Sequence, residues 1–266
     1  MAPRVFWKGY LKLSLVTCQV TMEPAATDSG RVKFRTLNER TGNPVTSRYL
    51  DDVSGKEVAE EDEVKGYPRG EDDYVILEDD EIDSVALEST RTIDIDMFVP
   101  EGEIGPIWYD RPHFLVPSDK VGEEAFTVIR SAMAATGTVG IARLVLYRRE
   151  RAVMLQPLGK GIVVWTLHYG DELRAPEAYF DKIGSAKPDK AMMELIAKVI
   201  DSRKMSWRPE LADDPVQARL LDIIGAKKKG RKRAAKRAEP VPKGGNVVSL
   251  MEALRKSLAS VKSKSR

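Results

Sequence analysis

Apolar residues follow one spacing through most of the chain and a different one near its end. Over residues 4–21, Val5, Trp7, Tyr10, Leu11, Leu13, Leu15, Val16 and Val20 partly alternate with Lys8, Lys12 and Ser14. That pattern predicts one long strand bent at Gly9. Shorter strands are expected at 32–37, 45–50, 74–77, 92–99, 141–148, 152–157 and 162–169. The last three follow one another through Arg149-Glu150-Arg151 and Gly159-Lys160-Gly161, as in an antiparallel meander. Between early and late strands, Ala125, Phe126, Ile129, Ala132 and Met133 line one face of a predicted helix at 123–135, with Gly137 as its stop.

After Tyr169 the period lengthens. Met192, Leu195, Ile196, Val199 and Ile200 are spaced for a helix over 188–204, started by Pro188 and Asp189. Asp214-Pro215 opens another, with Val216, Leu220, Ile223 and Ile224 apolar. The fold class is therefore mainly β with appended α, not an alternating βαβ chain. Residues 226–245 lack periodicity and read as a disordered basic linker. A terminal amphipathic segment at 247–261 carries Val247, Leu250, Met251, Leu254, Leu258 and Val261. Too short to be a stable isolated helix, it is expected to fold on a partner or on the core.

Charge divides the chain further. The 43 Lys plus Arg and 41 Asp plus Glu leave a net of only +2, but the signs are segregated. Residues 1–50 carry +5, residues 51–103 carry 20 acids against four bases, and residues 226–266 carry 14 bases against two acids. Such asymmetry points to a polyanionic partner. The single cysteine, Cys18, leaves no internal disulfide or thiolate metal site and fits a reducing cytosol. Two histidines, His113 and His168, disfavour a zinc hydrolase. No apolar run approaches the ~20 residues that span a bilayer, and the first residues lead into no signal-like segment, so neither membrane nor export is expected.

No catalytic constellation emerges. Asp94 and Asp96 could form a carboxylate pair for a metal-dependent nuclease, but alternation assigns them the solvent face of a strand whose Ile93, Ile95 and Met97 point inward. The 51–55 stretch lacks the spaced oxygen ligands of a calcium loop. Gly159-Lys160-Gly161 lacks phosphate-loop spacing, and His168 reads as a structural hydrogen-bonding residue near a strand end. The chain is read as a non-enzyme without metal or cofactor.

Binding has more support. Lys227, Lys228, Lys229, Arg231, Lys232, Arg233, Lys236 and Arg237 fall within 11 positions, a density suited to a duplex with one charge per ~1.7 Å. Such a cluster meets phosphates without reading bases, and this reading is favoured over a merely solubilising tail. Arg31, Lys33 and Arg35 alternate with Val32 and Phe34, which on a strand would place three cations on one face.

Motifs spread along the chain, Val32-x-Phe34 among them, resemble those of the prokaryotic Ku family. The opening Arg4-x-x-Trp7-Lys8-Gly9-x-Leu11-x-Leu13-Ser14-Leu15-Val16 is followed by Val64-Lys65-Gly66-Tyr67 and Tyr74-Val75-x-Leu77. Then come Thr92-Ile93-Asp94-Ile95, Asp110-Arg111-Pro112-His113-Phe114-Leu115-x-Pro117, Trp207-Arg208-Pro209-Glu210 and Val247-Val248-Ser249-Leu250-Met251-Glu252-Ala253-Leu254. The resemblance covers nearly the whole chain, although the family usually has paired aromatics before Leu115.

The resemblance implies a Ku-type β-barrel core over 1–187 with a ring-closing bridge insertion at about 26–75, a helical C-terminal arm at 188–225 and a basic flexible tail from 226. It implies a homodimeric ring that threads onto double-stranded DNA ends and recruits a multifunctional ATP-dependent DNA ligase of the ligase D type. Its setting would be the bacterial cytoplasm, at the nucleoid. The inner-wall cations would be Arg31, Lys33, Arg35, Arg40, Arg48 and Lys65, with Lys8 and Lys12 beside them; the acids of 51–103 would face outward. Leu250, Met251, Leu254 and Leu258 would dock the ligase or pack on the core. Some relatives carry a Cys-x-x-Cys zinc hook where this chain reads Arg48-Tyr49-Leu50-Asp51-Asp52-Val53-Ser54-Gly55, so that turn must be held by hydrogen bonds and packing. Rival readings are a chromatin-like or RNA-binding protein with a basic tail, and the nuclease using Asp94 and Asp96.

Overall fold

The single strand expected at 4–21 is two. In the computed structural model, which describes residues 6–71, 73–85, 87, 90–185 and 187–229, β1 (Trp7–Leu13) reverses through Ser14 and Leu15 into β2 (Val16–Pro24). Leu13 faces Val16 across a two-residue turn, with Ser14 at φ 55. Two-residue hairpin loops require such left-handed backbone, and serine there gives no glycine or asparagine signal to read.

Five more strands complete a closed barrel: β5 (Thr92–Pro100), β6 (Tyr109–Pro117), β7 (Thr138–Leu146), β8 (Arg149–Leu158) and β9 (Gly161–Leu167). The order is β1-β2-β6-β9-β8-β7-β5, returning to β1. Every neighbouring pair is antiparallel except the closing one, where Tyr10, Leu11 and Lys12 lie beside Thr92, Ile93 and Asp94 in parallel. The expected meander is β7-β8-β9, but its first turn is Tyr147-Arg148, not Arg149-Glu150-Arg151. Both turn residues have positive φ, 50 and 63, so charged and aromatic side chains conceal a turn geometry usually signalled by glycine.

β1 keeps an unbroken register with β2 through Gly9. Tyr10 N donates to the Arg91 carbonyl at 2.8 Å, and a Cβ on Gly9 would lie 2.1 Å from that same oxygen. The missing side chain lets two backbones meet at the seam. Leu11, Ile93, Ile95, Val20, Met22 and Leu115 point into the core from this side of the barrel. Met97, expected inward, is exposed because the register slips between Ile95 and Met97.

Helix α2 (Lys120–Thr136) contributes Phe126, Ile129 and Met133 to the same core. Asp119 caps it by accepting from Gly122 N at 2.6 Å, and Gly137 at φ 63 ends it. Beneath its start lies Cys18, whose thiol is 3 % exposed and pushed up in pKa by burial and by the nearby Asp119 carboxylate. On the other face of the late strands, Val139, Met154 and Leu167 pack with Tyr109 and Trp165, whose rings stack at 5.1 Å. β9 is thus buried on both faces and shows no alternation. β6 carries no clear strand signal in the sequence because Pro112 interrupts it, at a register shift that accommodates the missing N–H.

The described chain falls into two compact units, one comprising Arg35–Ala175 with the residues up to Gly30, the other Arg31–Phe34 with the chain from Pro176 onward. In the first, the insertion leading to β5 stays outside the barrel. Its β3 (Lys65–Gly70) and β4 (Asp73–Leu77) pair only with each other, and all their residues are exposed. The expected strand at 45–50 is reduced to isolated bridges at its two ends, Leu37 to Pro44 and Leu50 to Glu57, and 32–36 form no strand. α1 (Asp79–Ser84) follows β4. The second unit contains α3 (Glu177–Phe180), α4 (Lys190–Arg203) and α5 (Pro215–Lys228), none with a buried residue. Among the described residues no helix is long and apolar enough to cross a membrane.

His113 lies in a cavity of about 680 Å³, its ring stacked on Phe6 at 5.3 Å and only 4 % exposed. Its Nδ1 is buried with no hydrogen-bond partner. Burial lowers its pKa, only partly countered by the backbone carbonyls of Arg111 and Val164.

Two expectations follow for stability. Gly9→Ala should lower unfolding free energy by about 2–3 kcal/mol in urea titrations, whereas Gly105→Ala, with open space around it, should change it by less than ~0.5 kcal/mol. Because burial lowers the His113 pKa, the unfolded chain binds the proton more readily than the folded one as pH falls through the ordinary value of 6.5. The stability advantage of the native protein over His113→Phe should therefore be full above pH 6.5 and narrow on acidification to pH 5.5.

Candidate nucleic-acid interface

Several exposed cations sit on elements that make no core. In the first unit, residues 36–45 form a tight loop around Asn38. Asn38 N donates to the Asn43 carbonyl at 2.8 Å, and Asn38 Oδ1 accepts from Arg40 N at 3.0 Å and Thr41 N at 3.3 Å. Gly42, at φ 74, closes it and leaves Arg40 exposed at its tip. The next loop repeats the device. Asp51 Oδ1 accepts from Ser54 N at 2.6 Å, Asp51 N donates to the Lys56 carbonyl at 2.8 Å, and Gly55 turns at φ 65. Hydrogen bonds from Ser54, first from its side chain and then its backbone, lower the Asp51 pKa. An Asx-type turn thus holds residues 51–55.

Three expected cations are already paired. Lys12 Nζ lies 2.5 Å from Asp94, Lys65 Nζ lies 2.5 Å from Asp79, and Arg48 pairs with Glu57 across the second loop. All six side chains are between 42 % and 81 % exposed. Pairs so open to water are worth about 0–1 kcal/mol, so exchanging a carboxylate for a phosphate would cost little. Lys8, Arg35 and Arg40 are exposed, with no ion pair among the described residues. On the ribbon, Gly66 makes room for the Tyr74 ring, whose Cβ would be 3.2 Å from an added Cβ.

In the second unit, Arg31 and Lys33 flank Val32, whose N–H donates to Gln217 Oε1 at 3.0 Å. They and Arg35 do not share a strand face, because 31–36 have no ladder partner and Arg35 belongs to the first unit. The linker expected from 226 is helical at its start. Lys227 and Lys228 form the last turn of α5, and Lys229 caps it through bonds from its N–H to the Ala226, Gly225 and Lys227 carbonyls. Lysines at a helix C-terminus oppose its negative dipole end, which favours continuing the helix. Arg231, Lys232, Arg233, Lys236 and Arg237 lie outside the described residues, as do Leu250, Met251, Leu254 and Leu258.

The carboxylates gather without forming an open metal site. Asp94 and Asp96 line a shallow depression of about 440 Å³ with Lys12, Arg143 and Glu150, where Lys12 engages Asp94 and Arg143 Nη1 donates to Glu150 at 3.0 Å. Among the described residues no group of three or more His, Cys, Asp and Glu is placed to hold a metal. His168 acts locally, its Nδ1 meeting Glu172 Oε2 at 3.2 Å, while Glu172 also accepts from Tyr169 N at 3.0 Å. Those two interactions, the backbone one first, lower the Glu172 pKa.

Sequence reasoning missed three organising residues. Asn38 and Asp51 carry a readable signal, an Asn or Asp a few positions before a glycine. Gln217 carries none, since its partner is 185 positions away.

A family model and several curated relatives match this chain. The model of the Ku70/Ku80 beta-barrel domain matches residues 12–195. A Methylocella silvestris protein named "Non-homologous end joining protein Ku" is 59 % identical over 261 residues, covering 97 % of this chain and 96 % of its own length. A protein of the same name from Gluconacetobacter diazotrophicus is 59 % identical over 263 residues, with 97 % and 98 % covered. One from Coxiella burnetii is 31 % identical over 262 residues, with 97 % and 95 % covered. Among solved structures, the SPOC domain of human PHD-finger protein 3 aligns with 62 % of this chain and 95 % of its own at 7 % identity and a TM-score of 0.30, too slight a likeness to argue from.

Proposed function

The chain belongs to the Ku family, and from that premise we propose that it binds double-stranded DNA ends as a homodimeric ring and recruits an ATP-dependent DNA ligase for non-homologous end joining. The observation that carries the dimer is apolar surface left open in one chain. Tyr67, Tyr74, Val75 and Ile76 of the β3–β4 ribbon are 43–67 % exposed, and in the second unit Met193, Ile196 and Ile200 of α4 are 39–54 % exposed. An isolated two-stranded ribbon is marginal in water, and an amphipathic helix gains its stability by burying its apolar face. A second copy supplies that cover when each chain's insertion closes over the other.

Cations on core-free loops suit sequence-independent contact, because they reach phosphates and need no register with base edges. Arg31, Lys33, Arg35, Arg40, Arg48 and Lys65 line the inner wall in this reading, with Lys8 and Lys12 nearby. Lys227, Lys228 and Lys229 begin the grip continued by Arg231, Lys232, Arg233, Lys236 and Arg237, and the acids of 51–103 face outward. In this reading the protein holds ends and carries out no chemistry on them; Asp94, the best nuclease candidate, faces the Lys12 ammonium at 2.5 Å in an exposed pair. The core spans 1–187 with its bridge at about 26–75, and the arm and basic tail follow. Leu250, Met251, Leu254 and Leu258 form the ligase-docking stripe, and the working place is the bacterial nucleoid.

Threading requires free ends. Linear duplex should therefore bind in gel shifts while a closed circle of the same sequence competes poorly; equal competition would favour a general basic-tail binder. Joint replacement of Arg31, Lys33 and Arg35 by alanine should weaken linear-duplex binding and reduce the log–log salt slope by ~0.9 for each phosphate no longer neutralised. An unchanged slope would remove these residues from the interface. Leu254→Glu should abolish ligase stimulation while leaving DNA affinity unchanged, and loss of both together would refute a dedicated docking role.

A further inference from the structure

We propose that Gln217 is a positioning residue for DNA contact, fixing from the C-terminal arm the backbone that presents Arg31 and Lys33. The inference rests on the DNA-end reading above and adds to it a residue that meets no phosphate itself.

Helix α5 starts at Pro215, behind Asp214. Asp214 caps this helix, its Oδ1 accepting from Val216 N at 2.9 Å and Gln217 N at 3.2 Å. Gln217 is thus the third residue of the helix, its backbone held by the cap and by the first turn. A glutamine at this position commonly reaches back to the backbone N–H of its own cap residue, completing a reciprocal pair. Here its side-chain oxygen instead accepts from Val32 N at 3.0 Å, across 185 positions of sequence. The side chain that would finish the helix cap is directed at another segment.

That segment needs an external partner. Residues 31–36 lie in no strand, so no ladder sets their backbone. Val32 is half-buried between exposed Arg31 and Lys33, and on α5 Gln217, Leu220 and Ile224 are half-buried at helical spacing on one face. Arg31–Phe34 accordingly group with the arm and not with the barrel. A fixed amide at Val32 restricts the peptide planes on either side, and hence the directions in which Arg31 and Lys33 leave the chain. Preorganised cations lose less conformational freedom on meeting a phosphate than cations on a loose segment.

The test uses the full chain, a linear duplex and four proteins: wild type, Gln217→Met, Arg31→Ala/Lys33→Ala, and the triple combination. Methionine keeps the length of the side chain but removes the strong acceptor. In hydrogen exchange without DNA, Gln217→Met should speed exchange at Val32 by about fivefold to tenfold. With thermal midpoint unchanged, it should weaken duplex binding by about threefold to tenfold and lower the salt slope by ~1 to 2. In the Arg31→Ala/Lys33→Ala background it should have no further effect on affinity, since a positioning residue acts only through what it positions. Additive losses, or unchanged Val32 exchange, would overturn the proposal. If the double variant weakens binding while Gln217→Met does not, the positioning role fails and the phosphate contacts stand. A double variant that binds as tightly as wild type refutes both.

Discussion

The barrel depends on its parallel closing seam. Six of its seven neighbour pairs are antiparallel and join strands through turns or longer connections, but β1 and β5 meet side by side only if the whole insertion between β2 and β5 leaves the barrel and returns. The seam is tight enough that Arg91 places its carbonyl over Gly9, with Arg91 itself at φ 50. A non-glycine residue in that conformation is held by its surroundings. Closure therefore ties the residues just before β5 to the N-terminal strand and fixes both ends of the insertion in the first unit.

What leaves the barrel has the opposite physical character. Inside, Leu11, Val20, Met22, Ile93 and Leu115 are fully buried; outside, the ribbon has no buried residue. Beyond Val32, the insertion is held by local devices, the Asn38 and Asp51 turns and open ion pairs such as Lys65 with Asp79. Such devices set shape at little thermodynamic cost and can be rearranged. A rigid frame carrying adjustable loops is a reasonable way to fit a polyanion whose sequence is never the same twice.

The barrel strands were legible where one face is wet and the other dry, as in Ile93 and Ile95 against Asp94. They became illegible where that contrast disappears or is masked. Ser14, Tyr147 and Arg148 adopt left-handed turn conformations without a glycine, which merged β1 with β2 and displaced the β7–β8 turn. Pro112 hid β6, and Gly66, Pro68 and Gly70 hid β3. Of the candidate site, the charges could be counted but their engagement could not. That Lys12 faces Asp94 is set by the register of β1 on β5, and that Val32 meets Gln217 is set by how the chain returns after the barrel. Neither carries a local signal. Family resemblance, not charge, narrowed the polyanion to duplex ends.

Cys18 has a consequence of another kind. Its sulfur is the chain's only thiol, shut beneath the start of α2 and kept protonated by burial and a neighbouring carboxylate. Peroxides and alkylating agents attack the thiolate, so a shielded, protonated sulfur reacts slowly. Oxidants that break DNA would thus leave this protein without sulfenic acids or intermolecular disulfides while it works on the damage. The same inertness makes the chain a ready scaffold for spectroscopic labelling: a cysteine placed on the Arg40 loop would be its one reactive sulfur.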